Sequence, residues 1–224
     1  MYTFVLLSGG VGSRLGRSVP KQYLTLAGKP MIAHVLEQVE GLEAVEKVVI
    51  VCADEYRQPI ADMRETYGLK KPAVFAPAGE SRQASVLSGL RLVETERVMI
   101  HEAARPFVRE ADYRRLMANP AENAIFGAPI PFTVVRGHGE IEGLLDRPEL
   151  VNVQLPQIFR TRPLLEAHLQ ARREGRTFTE DASLLFHYRP DLPIRIVPGM
   201  DYNIKVTTAM DLLTGEMIFK EIFG

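Results

Sequence analysis

VLLSGGVGSRLGRSVPKQY, residues 5–23, is the stretch whose reading decides the fold. An apolar run from Tyr2 to Leu7 predicts a buried first strand. It stops at Ser8, Gly9, Gly10 and Gly12, where side chains vanish and the backbone is free to present bare N–H groups to an anion. Arg14, Arg17 and Lys21 follow, with Pro20 fixing the chain just before the lysine. A loop of this build holds phosphates.

Two better-known glycine loops do not fit. The dinucleotide fingerprint G-x-G-x-x-G fails because Leu15 stands where the third glycine belongs. The P-loop fails because Gly28-Lys29 runs into Pro30 instead of a hydroxyl residue. What fits is a Gly-x-Gly-x-Arg turn, Gly10-Val11-Gly12-Ser13-Arg14, followed by Pro20-Lys21-Gln22-Tyr23. That is the pattern of nucleotidyltransferases that make activated sugars and alditols.

Working outward, 224 residues with 46% apolar content suit one large domain with an ample core. A net charge of -1 argues against a nucleic-acid groove or a membrane-attracting face, so the local cation cluster stands out. Cys52, the single cysteine, lies in the run KVVIVC and reads as a core thiol. No apolar run approaches the length of a membrane span, and the expected compartment is the cytoplasm.

Down the chain, Pro30 opens a helix with Met31, Val35 and Val39 on one face and Gly41 beyond it. Lys47 to Cys52 is a second buried strand, then a helix runs from about Glu55 to Tyr67. A strand at Ala73–Phe75, a helix from about Ser81 to Val93 and a strand at Arg97–Ile100 follow. Such alternation predicts a doubly wound, mostly parallel α/β sheet with ligands at the carboxyl ends of its strands, where the loops at 8–23, 76–85 and 101–106 sit. From about Thr133 to Arg147 the polar stretch TVVRGHGEIEGLLDR reads as a hairpin leaving the sheet, which needs something to cover it. Val153–Phe159 is extended, Pro163–Glu174 and Asp181–His187 are helices, Ile194–Val197 is a strand and Thr208–Phe223 the last helix.

Five motifs then coincide in order: residues 9–14, residues 20–23, RQASVLSGL (82–90), HEAARP (101–106) and NIKVT (203–207). Together they make the whole chain resemble the cytidylyltransferases that activate methylerythritol 4-phosphate or ribitol 5-phosphate with CTP. The resemblance implies a Rossmann-like α/β/α nucleotidyltransferase domain over residues 1–224, with a projecting β-arm at about 130–150 that makes a homodimer. It implies attack by a phosphate oxygen of a small polyol phosphate on the α-phosphorus of CTP, with pyrophosphate released. Such a nucleophile is already an anion, so no general base is required.

By the same resemblance Arg14, Lys21 and Lys205 are the catalytic cations around the triphosphate. Ser8, Gly9, Gly10 and Gly12 cradle phosphate oxygens, and Gly79, Arg82 and Ser85 read the base and ribose. Glu102 and Arg105 lie at a strand end where the family has an aspartate that helps hold Mg²⁺. Glutamate keeps a hard oxygen ligand but reaches about 1.5 Å further. Thr133, Arg147 and Thr179 are expected around the acceptor phosphate, the first two offered to a partner subunit. Leu155 and Phe132 depart from the family pattern and make the expected acceptor pocket more apolar, with methylerythritol 4-phosphate ahead of ribitol 5-phosphate. His101 reads as a packed strand residue and Arg17 as a solvated cation.

Two rival readings are weaker. A non-catalytic nucleotide-binding protein of the same fold would be expected to lose Lys21 or Lys205, and both are present. A glycosyltransferase of related architecture usually carries an Asp-x-Asp triplet, and none occurs.

Overall fold

The computed structural model describes residues 1–10 and 20–224, and of Lys21 the backbone alone. Seven strands form the main sheet: β1 (Tyr2–Leu7), β2 (Val45–Cys52), β3 (Ala73–Pro77), β4 (Arg97–Glu102), β5 (Ala124–Pro129), β6 (Val151–Arg160) and β7 (Arg195–Pro198). Their spatial order is β7-β5-β6-β4-β1-β2-β3. β6 alone runs antiparallel to its neighbours, and every other pairing is parallel. This is the doubly wound α/β fold that the alternation predicts.

β1 takes its central place because all six of its residues are buried, between β2 on one side and β4 on the other. A continuous apolar run with no polar face suits only a strand covered on both faces. One covering layer contains α1 (Met31–Glu40), α2 (Arg57–Thr66) and α4 (Glu110–Met117), and packs Ile32, Val35, Ile60 and Leu116 against Phe4, Leu6 and Ile50. On the opposite face α3 (Arg82–Leu90), α5 (Thr161–Glu174) and α6 (Asp181–Tyr188) bring Val86, Leu164 and Leu185 onto Val5, Val49 and Ile100. The last helix, α7 (Ala209–Ile218), is capped by Thr208, whose side chain accepts from Asp211 N. It passes into a wider π-helical turn at Phe219–Phe223, so the predicted final helix is two elements.

Two elements carry no sequence expectation. α4 buries only Asp112, Tyr113 and Leu116, too few apolar positions to show a helical period. β5 is AIFGAP, a short run punctuated by glycine and proline. The hairpin expected at 133–147 is present as a ribbon of two paired rungs, Val135 with Leu144 and Arg136 with Gly143. By returning the chain in the opposite sense, it sets β6 antiparallel between β4 and β5.

Main-chain bonds continue the ladder past the strand ends. Ser8 N donates to Val51 O at 2.8 Å, Ala78 N to Cys52 O at 3.0 Å and Ala103 N to Leu7 O at 3.0 Å. The loops after β1, β3 and β4 therefore meet at one carboxyl edge. Gly9 fits there because a Cβ on it would lie 2.5 Å from Ala78 Cβ.

Candidate active site

The glycine turn is fastened from below by the short 3₁₀ segment Lys21–Tyr23. Gln22, 3% exposed, donates from Nε2 to Ser8 O at 2.6 Å and to Gly10 O at 2.9 Å. Tyr23 Oη donates to Ser8 O at 3.1 Å, and its ring stacks on Tyr56. Gly12 and Arg14 lie outside the described residues, as does the side chain of Lys21.

At the tip of β4, Glu102 gathers what the sequence scatters. Arg82 Nε donates to its Oε1 at 2.9 Å, and Lys205 Nζ forms an ion pair with Oε2 at 2.6 Å. Burial opposes the Glu102 charge, but Lys205 and Arg82 outweigh it and hold the carboxyl down at about 2. Arg82 has a second anion, Asp181 Oδ2, 2.7 Å from Nη2. Asp181 is also held down, at about 2, where Arg82 and the His168 hydrogen bond overcome its burial. His168 Nε2 donates to Asp181 Oδ1 at 3.1 Å. The opposed desolvation leaves the Arg82 charge reinforced, because Asp181 and Glu102 raise its pKa.

Lys205 is aimed by its own scaffold. Gln154 clamps Met200, accepting from its N at 3.0 Å and donating to its O at 2.9 Å. Asn203 Nδ2 donates to Leu155 O at 2.6 Å, Arg105 Nη1 donates to Asn203 O at 3.1 Å, and Val206 N donates to Ala104 O at 2.9 Å. Arg105, expected at the substrate, thus ties the β4 loop to the segment that carries Lys205. Burial lowers its pKa, with Glu102 acting in the opposite direction.

The remaining expected residues divide. Gly79 lies over the start of α3, where a Cβ would be 2.6 Å from Ala84 Cβ, and its N donates to Ser85 Oγ at 3.0 Å. Ser85 therefore fixes the loop that carries Gly79. His101 is fully buried, with Nε2 3.0 Å from Arg105 O, and burial drives its pKa down to about 3, so the ring is neutral. Thr179 is exposed one residue before Glu180, the N-cap of α6. Thr133 and Arg147 lie exposed on the arm, Arg147 Nη1 donating to Pro131 O at 3.3 Å. The structure does not bring these three to Glu102 within one chain by any hydrogen bond or ion pair. Leu155 is 5% exposed and packs in the layer of Leu7, Ile125 and Phe159, so it belongs to the core and not to an open pocket wall.

Sequence reasoning missed Asp181, His168, Gln22 and Gln154 as builders of the site. Asp181 reads as an ordinary acid in the first turn of a helix, and only tertiary packing shows that it reaches Arg82. Gln22 had a visible signal, being next to Lys21 in the Pro-Lys-Gln-Tyr motif. Among the described residues no group of three or more His, Cys, Asp or Glu could hold a metal, and no helix is long and apolar enough to cross a membrane.

A mostly parallel sheet whose carboxyl edge brings the loops after β1, β3 and β4 together, with Arg82 and Lys205 on one buried carboxylate, has the build of a nucleotidyltransferase. A family profile described as IspD, 2-C-methyl-D-erythritol 4-phosphate cytidylyltransferase, matches residues 2–221, and the chain belongs to that family of CTP-dependent enzymes. The 2-C-methyl-D-erythritol 4-phosphate cytidylyltransferase of Geobacillus thermodenitrificans is 36% identical over 97% of this chain and 96% of its own. The solved structure of the Thermus thermophilus enzyme of that name is 28% identical, with a TM-score of 0.77 over 98% of this chain and all of its own. The 4-diphosphocytidyl-2C-methyl-D-erythritol synthase structure from Anaerococcus prevotii shares the fold at TM-score 0.87, over 98% of this chain and 96% of its own, with 18% identity.

Proposed function

We propose that this carboxyl edge transfers the cytidylyl group of CTP to 2-C-methyl-D-erythritol 4-phosphate in the synthesis of isoprenoid precursors. The observation that carries the reading is Glu102, which holds Arg82 and Lys205 within 2.9 Å and so unites three motifs distant in sequence. The acceptor phosphate attacks the α-phosphorus and pyrophosphate leaves, a reaction whose demand on the protein is to bring anions together and stabilise added charge. Arg14, Lys21 and Lys205 supply that charge. The N–H groups of the glycine turn and the Arg82 corner orient the triphosphate and nucleoside, and Thr179 with Lys205 faces the acceptor.

Mg²⁺ fits Glu102 as a single hard oxygen ligand that shares the ion with nucleotide phosphates, the usual pattern for that metal. A bound ion would neutralise triphosphate charge. The carboxylate already serves two cations through its two oxygens, and each oxygen keeps a free lone pair. The chain acts as one domain over residues 1–224, in the cytoplasm, as a homodimer. The arm at 130–150 lends Thr133 and Arg147 to the partner's site. The exposed Phe132, Ile141 and Leu144 support that role.

Pyrophosphate release is the test, with CTP and either 2-C-methyl-D-erythritol 4-phosphate or ribitol 5-phosphate, with and without EDTA. Turnover with the first acceptor, halted by chelation, is expected. Preference for ribitol 5-phosphate overturns the acceptor, and full activity in EDTA removes the metal from Glu102.

A further inference from the structure

Lys205 stands in an irregular stretch, residues 199–208, between β7 and α7, where neither a ladder nor a helix fixes the backbone. The bonds from Gln154, Leu155, Ala104 and Arg105 hold that stretch from the sheet side. Its other side is held by α4 and the N-cap of that helix, Arg109, through two residues. Tyr202 Oη accepts from Arg109 Nη2 at 2.7 Å and donates to Asp112 Oδ2 at 2.8 Å. The Arg109 guanidinium also stands 4.9 Å from the centre of the Tyr202 ring. Met200 Sδ accepts from Arg115 Nη2 at 3.0 Å.

The bonds at Tyr202 give direction, which packing alone does not. Its ring lies against core residues of two clusters with or without a hydroxyl. Asp112 is 4% exposed and keeps two other donors on Oδ2, Arg109 N at 3.1 Å and Arg109 Nε at 3.3 Å. Burial and the hydrogen bond to Asp112 push the Tyr202 pKa up to about 12, so the phenol keeps the proton it donates. What the hydroxyl adds is a fixed rotation of the backbone. Tyr202 O accepts from Ile204 N at 2.9 Å, so any turn of Tyr202 passes to the peptide that joins Lys205.

We infer that Tyr202, held by Arg109 and Asp112, is a positioning residue that sets the direction in which Lys205 leaves the backbone and keeps its Nζ on Glu102, 2.6 Å away. The kinetic consequence rests on Lys205 as a catalytic cation, whereas the placing of Nζ does not.

Tyr202→Phe tests it, keeping the ring and removing only the hydroxyl. Lysines are methylated reductively with ¹³C-formaldehyde, and the Lys205 signal is assigned by its loss in Lys205→Arg. That signal should move in Tyr202→Phe. Arg109→Gln removes the other bond to the hydroxyl from a half-exposed position and should move the signal too. Arg114→Gln should leave it in place, because Arg114 reaches only Glu110 and Gly41 O. In turnover, Tyr202→Phe should lower kcat about fivefold with the KM for CTP within about twofold of the parent. The same change made in Lys205→Ala should cost less than about twofold, since the group it positions is gone. A Lys205 signal unmoved in both variants, or an equal loss of kcat with and without Lys205, overturns the positioning role. A moved signal with kcat unchanged leaves the placing of Nζ standing and overturns the part given to Lys205 in the reaction.

Discussion

The corner around Arg82 and the arm at 130–150 are opposites. At the corner one chain supplies both anions, both oxygens of each are used, and the side chains of Asp181 and Glu102 are 1% and 9% exposed. On the arm, Ile141 and Leu144 are 71% and 81% exposed over a ribbon of two rungs. A charged group in a dry site must be paired at once or it is too costly, so the Arg82 corner is finished within a single copy. Apolar side chains in water cost less each, so the arm can stay uncovered in a single copy.

The comparison breaks hardest at Asp181. Asp181→Ala leaves Arg82 with one anion and His168 with none, and removing one member of a buried pair costs about 3–5 kcal/mol. Urea unfolding measures it. A loss below about 1 kcal/mol means that the corner is not the rigid half.

Next come the cations proposed to act on the reaction rather than on the fold. Lys205→Ala and Lys21→Ala should each lower kcat by about 10²- to 10³-fold, on the order of 2.7–4 kcal/mol of transition-state stabilisation, with the melting temperature little changed. Near-normal turnover in either folded variant withdraws that lysine from the chemistry.

Acid probes the same corner more gently. The folded pKa values of Glu102 and Asp181, both about 2, lie below the ordinary 4.5 and 3.8. Their stabilisation is therefore complete above about pH 4.5 and lost as pH falls toward 2, on the order of 2 kcal/mol for each carboxylate. Unfolding free energy measured from pH 6 to pH 3 should fall, and fall less steeply in Asp181→Asn. Equal slopes would place the acid sensitivity elsewhere.

How legible each half was follows from the same physics. β1 and the Val48–Cys52 part of β2 are apolar runs that show their burial without any tertiary information, whereas the phosphate site expected at the glycine turn and the Pro-Lys pair falls mostly outside the described residues. Glu102 as the meeting point of Arg82 and Lys205 was not legible, because those residues lie 20 and 103 positions away and only the sheet order brings their loops together. Asp181 and His168 were hidden for the same reason, each disguised as an unremarkable helix residue. α4 and β5 escaped because their apolar positions are too few or too interrupted to show a period. Leu155 was misjudged since a missing hydroxyl says nothing about where the side chain points, and burial does.

The arm gives the smallest effect on stability and the cleanest contrast. Ile141→Ser and Leu144→Ser alter side chains that already face water, so each should move the unfolding free energy of the isolated chain by less than about 0.5 kcal/mol. If a second copy covers them, the same changes weaken association, because burying one such side chain is worth about 1.5–3 kcal/mol. Light scattering over a dilution series should then show the double variant dissociating at higher concentration than the parent. Turnover per chain should fall in step with the dimer fraction if Thr133 and Arg147 serve the partner's site. A parent chain that is monomeric and fully active at micromolar concentration refutes the shared site. A variant that dissociates yet keeps full turnover refutes only the lending of residues, and would leave the corner at Arg82 and Lys205 sufficient for catalysis by itself.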